Sequence, residues 1–178
     1  MIIALAGRRI DRSDADVRQF PLQNVGSVSV AMRRLLMKEG VTALVSSAAC
    51  GADLIGLHEA GKLGLRRRVI LPSGPGKFRE ASVVDRPGDW GGLYDTVLHQ
   101  VEGSGDLVIE LAVGDTDPYR VVTHALLDEA AVLGAEGHET VEALMVWNGK
   151  ITEETDYTAE FGEEARKRGL TILEIMTV

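Results

Sequence analysis

Two arginines follow the first apolar run of the chain, in "LAGRRID" (5–11), and a carboxylate follows the second, in "SSAACGADLIG" (46–56). Guanidinium groups placed just after a buried strand can reach over a sheet edge to a planar anion or stack on a base, so Arg8 and Arg9 are candidates for ligand contact. Gly51 permits a tight turn and close approach to backbone, and a helix beginning at Ala52 offers unpaired N–H groups and a positive dipole end. Asp53 stands at the mouth of that helix. The combination suits a phosphate or a ribose. Structural roles compete with this reading: Asp53 as a cap, Gly51 as a turn former, and the two arginines as a surface pair facing the acidic "DRSDAD" (11–16).

Other chemistries find less support. Neither GxGxxG after the first strand nor GxxxxGK[ST] occurs, which argues against a dinucleotide fingerprint and a P-loop. His58, His99, His124 and His138 show no metal-ligand spacing, and Cys50 is the only cysteine, so no metal is expected and no cofactor is implied. Tyr119, Thr123 and His124 open a helix after the fourth strand, whose start could point at a ligand.

These residues need elements to position them. Apolar runs at 2–6, 43–47, 68–72, 107–113, 142–147 and 170–176 read as six strands, and their continuous apolarity predicts burial on both faces. Helices are expected at about 27–39, 52–63, 92–102, 118–134 and 158–168. This alternation predicts one α/β domain over residues 1–178, doubly wound, with a mostly parallel sheet of about six strands. Ligands bind such sheets beyond the carboxyl ends of the strands, where the strand order reverses. "GRR" (7–9), "SSAACGAD" (46–53), "PSGPGKFRE" (72–80) and "WNGK" (147–150) all follow strands. Gly74, Pro75 and Gly76 predict a turn after the third strand, leaving 73–91 as a long loop. In that loop Phe78 and Val83 would anchor to the body while Arg79 and Ser82 donate hydrogen bonds inward.

Composition narrows the partners. A net charge of -8 conflicts with general nucleic-acid binding, which depends on Lys and Arg neutralising phosphates. The charge is uneven: residues 1–90 hold 14 Lys and Arg against 9 Asp and Glu, and residues 91–178 hold 5 against 18. The first half can therefore face an anion. No signal-peptide pattern and no run of about 20 apolar residues occurs, so a cytoplasmic protein with no membrane partner is expected.

At "LAGRRID", "SSAACGADLIGLHEA", "LPSGPGKFREASVVDRPGDW" and "LMVWNGKITEETDYTAEFGEEARKRGLTI", in that order, the chain resembles the SLOG superfamily of Rossmann-like proteins. That group includes the lonely-guy phosphoribohydrolases, often called lysine decarboxylases, and DNA-processing protein A. The resemblance covers nearly the whole chain and implies a site for a nucleotide or nucleotide-derived ligand walled by Gly7, Arg8, Gly51, Ala52, Asp53 and Thr158. With Arg9, Ser47, Arg79, Ser82 and Trp147 these make up the candidate ligand-binding set. The chain departs from the lonely-guy signature Pro-Gly-Gly-x-Gly-Thr-x-x-Glu: "WNGKITEETDYTAEF" (147–161) lacks the glycine cluster, and Glu160 follows Thr158 by two residues, not three.

Two functions are therefore carried forward. One is a binding or sensing module for a nucleotide or ribose phosphate; for the assembly the resemblance implies a possible homodimer. The other is a phosphoribohydrolase acting on a nucleoside 5'-monophosphate, with Asp53, Glu160 or a carboxylate of "TEET" (152–155) assisting. The missing glycine cradle favours the first.

Overall fold

The computed structural model describes residues 1–38, 40–111, 117–151 and 155–178. Six strands, β1 (Ile2–Gly7), β2 (Ala43–Ser46), β3 (Arg66–Leu71), β4 (Leu107–Glu110), β5 (Val141–Trp147) and β6 (Thr171–Met176), form one sheet in the order β4-β3-β2-β1-β5-β6. Every pairing is parallel; Ile3, for example, lies opposite Leu44 of β2 and Glu142 of β5. The chain builds outward from β1 to β4, then returns to the other side of β1 to lay down β5 and β6. The order thus reverses between β1 and β5.

The helices are α1 (Val25–Leu36), α2 (Ala52–Lys62), α3 (Pro75–Ser82), α4 (Trp90–Gly103), α5 (Pro118–Gly137) and α6 (Tyr157–Lys167). Successive residues of a strand point to opposite faces, and here both faces are covered. Ile3 and Leu5 of β1 pack with Met32 of α1, Leu54 of α2 and Val97 of α4 in one core. Ile2 and Ala4 pack with Leu126 of α5 and Phe161 of α6 in the other. That is why the strands read as unbroken apolar runs.

Two expectations need correction. β3 starts two residues earlier than its apolar run because Arg67 is buried beside Asp106 (3.8 Å) and Gln100 (3.4 Å), so its polarity hid a strand position. The turn expected at Gly74-Pro75-Gly76 opens helix α3 instead. Pro75 occupies a first-turn position, where its fixed φ suits a helix and its missing N–H is not needed. The Phe78 N–H donates to the Gly74 carbonyl at 3.0 Å. Glu39 at the expected end of α1, residues 112 and 113 of the fourth run, and residues 152–154 of "TEET" lie outside the described residues. Among those described, no helix is long and apolar enough to cross a membrane.

Candidate functional site

β1 and β5 end side by side, and the first residue beyond β1 bolts them to α6. Arg8 donates from Nη1 and Nη2 to the two carboxylate oxygens of Asp156 at 2.7 and 2.6 Å. It also donates to Asn148 Oδ1 at 3.2 Å and to the Lys150 carbonyl at 2.7 Å. Its guanidinium carbon stands 6.0 Å from the centre of the Trp147 ring. Asp156 is at the same time the cap of α6, accepting from the Ala159 N–H at 3.0 Å. The planar fork of Arg8 is thus consumed by the protein.

The start of α2 sits directly under the exit of β1. Gly51 has φ of 99°, and a Cβ there would lie 2.7 Å from the Arg8 carbonyl oxygen. A Cβ on Gly7 would meet that of Ala52 at 2.4 Å. The two glycines let the chain pack against itself. The Ala52 N–H donates to the Arg8 carbonyl at 3.2 Å and the Leu54 N–H to the Ala49 carbonyl at 3.3 Å. Those helix-start donors, expected to hold a phosphate, are already occupied.

Asp53, in the first turn of α2, turns back toward the strand end and accepts from the Ser47 hydroxyl at 2.5 Å through Oδ2. Its Oδ1 makes no well-formed hydrogen bond among the described residues. Burial pushes the carboxyl up to about 6, opposed in part by the Ser47 hydroxyl, the Ala49 N–H and the Ser46 hydroxyl. Asp11, beyond β1, accepts from the N–H groups of Gln19 (3.0 Å) and Phe20 (2.9 Å) through Oδ1, while its buried Oδ2 has no partner among the described residues.

A second strut joins the β1 exit to the segment after α3. Arg9 pairs with Asp85, and Arg86 donates to Asp85 at 3.3 Å and to the Ile10 carbonyl at 3.3 Å. The Arg9 Nε is buried without a partner among the described residues. Phe78 and Val83 anchor this segment in the core. Ser82 faces inward, its hydroxyl 3.1 Å from that of Tyr119 at the start of α5.

These elements enclose a cavity of about 650 Å³ at the carboxyl edge of the sheet, over the point where strand order reverses. Gly7, Arg8, Arg9, Ser47, Asp53, Ser82 and Thr158 of the candidate set line it. Four do not. Gly51 and Ala52 lie beneath its floor in the β1 to α2 packing. Arg79 points away, donating to Asp95 at 2.9 and 3.0 Å. Trp147 is turned aside with its Nε1 donating to Glu174 at 2.9 Å. Of the helix-start group, Tyr119 and Thr123 line the cavity, whereas His124 is near Glu164 at 3.7 Å outside it. Glu160 is also outside, held by Arg120 at 2.8 Å. Asp11, Arg12, Arg86, Asp156 and Tyr157 were not in the candidate set and do line it. The signal for them was present in "DRSDAD", "VVDRPGDW" and "TDYTA", but polar residues in loops carry no mark of which way they face. Among the described residues no cluster of three or more His, Cys, Asp or Glu is placed to hold a metal.

Fold and cavity together define a parallel, doubly wound α/β protein with a ligand-sized crevice at its switch point. No protein-family model matches the chain. No curated protein matches it. Among solved structures it is similar to DNA processing protein A (DprA) from Streptococcus pneumoniae, at 14% identity and a TM-score of 0.33. That match covers 96% of this chain and 57% of the other, so the chain spans little more than half the length of that protein.

Proposed function

We propose that the protein is a binding or sensing module for a nucleotide or ribose phosphate. The observation that carries this is the cavity at the β1/β5 switch point, where arginine side chains and buried carboxylates meet over about 650 Å³. Sites for small ligands run to about 300–1,000 Å³ and combine apolar walls with a few convergent polar groups. Asp53 and Asp11 both line the cavity, and carboxylates there suit acceptance from ribose hydroxyls. Arg9 and Arg12 supply the positive charge for a phosphate.

One observation favours the phosphoribohydrolase as a second reading. A carboxyl whose pKa stands at about 6 can serve as a general acid near neutral pH, and Asp53 is such a group. Glu160 gives no such support, being outside the cavity and paired with Arg120.

A thermal-shift screen with nucleoside mono-, di- and triphosphates and ribose 5-phosphate tests the first reading, followed by chromatography for released base. A raised melting temperature without base release is the expected result. Stabilisation by none of these compounds would overturn the binding reading, and robust base release would replace it with the second.

A further inference from the structure

The cavity has two chemically different ends. The loop after β1 and the segment after α3 contribute Arg9, Arg12 and Arg86 with Asp11, beside the apolar Ile10, Ala15 and Val17. Toward α5 it is lined by Pro72, Phe78, Tyr119, Val122, Leu126 and Tyr157. A phosphate would be solvated poorly by the second end, and a planar base would waste the first.

The aromatic end is built with fixed rings. Tyr119 and Tyr157 pack with ring centres 5.5 Å apart and planes tilted by 40°. Each hydroxyl is tied down: Tyr157 donates to Asp117 at 2.9 Å, and the Tyr119 and Ser82 hydroxyls are 3.1 Å apart. Burial, then the Asp117 carboxylate, pushes the Tyr157 phenol up to about 12, so it stays a neutral donor. Tyr119 is nevertheless 39% exposed. Holding an apolar ring rigid while leaving it open to solvent gains little for the fold, but it prepares a stacking surface at low entropic cost. The other end holds matching chemistry: the Arg12 side chain is exposed and lines the cavity. Arg8, by contrast, is spent on Asp156.

We propose that the ligand is a base-bearing nucleotide bound in one direction, with its base against Tyr119 and Tyr157 and its phosphate at Arg12. The ribose then spans the sheet edge, where Asp53 lines the cavity. This inference rests on the nucleotide-binding reading and adds to it that a planar aromatic group is required.

Calorimetry with the four nucleoside 5'-monophosphates and with ribose 5-phosphate tests it on the full chain. At least one monophosphate should bind about 10-fold or more tightly than ribose 5-phosphate, since stacking one base contributes a factor of this order. Tyr119→Ala should abolish that preference while changing ribose 5-phosphate affinity by less than about 2-fold, and Tyr119→Phe should retain it. Arg12→Ala should weaken both ligand types by similar factors. Circular dichroism checks that each variant is folded. If ribose 5-phosphate binds as tightly as every monophosphate, or if Tyr119→Ala weakens both alike, the oriented-base inference falls while nucleotide binding stands. If neither class of compound binds, both fall together.

Discussion

Asp53 holds its charge at a cost set by its surroundings. With a native value of about 6 against the usual 3.8, the folded protein binds the proton of this carboxyl more tightly than the unfolded chain does. Its contribution to stability is therefore greatest below about pH 4 and is lost as pH rises through 6, leaving a penalty of about 3 kcal/mol above that. Asp53→Asn removes the ionisation. The variant should be more stable than the parent by about 1–3 kcal/mol at pH 7.5 and no more stable at pH 4, as read from urea unfolding at the two pH values. An equal difference at both values would show that the Asp53 carboxylate is not strained by burial. A carboxylate after Gly51 is visible in the sequence; its burial is not, because that depends on Ser47 and the β1 exit closing over it.

At the scale of elements, β1 is joined to α6 by the Arg8–Asp156 pair across 148 residues of chain. Both partners are buried, at 9% and 6% exposure. Removing one member of such a pair leaves the other charged and unmatched in a low-dielectric setting. Arg8→Ala should cost about 3–5 kcal/mol in denaturant unfolding, and Arg8→Lys should recover only part, since a point charge cannot replace a bidentate fork. A loss below about 1 kcal/mol would mean that Asp156 is satisfied by the α6 N–H groups alone. Helix α3 teaches a related lesson. Its Gly-Pro-Gly opening fits a turn by local rules, yet Phe78 and Val83 pay for a helix by filling the core beside α4. That helical turn is also what aims Arg79 at Asp95 and Ser82 at Tyr119.

Across the whole molecule the acidic second half of the chain is spread over both faces of the sheet: α4 lies on one face, α5 and α6 on the other, and β4 stands at the edge opposite β6. The basic first half supplies the loop after β1 and the arginines of the cavity. A net charge of -8 opposes binding of a polyanion. Fluorescence anisotropy with labelled duplex DNA at about 150 mM salt should therefore show no binding at micromolar protein, and a salt-dependent rise in anisotropy would contradict this. What the sequence determined by itself was the alternation of strands and helices other than α3, their approximate limits and the strand-end placement of the polar motifs. Each of these follows from periodicity and turn chemistry among neighbouring residues. Only the tertiary structure decided that Arg8 is a bolt, that Gly51 makes room for the protein's own backbone, that Arg79 and Trp147 face away, and that Tyr119 and Tyr157 share one wall. Those outcomes depend on contacts between residues tens to more than a hundred positions apart, where strand order and helix rotation choose the partners.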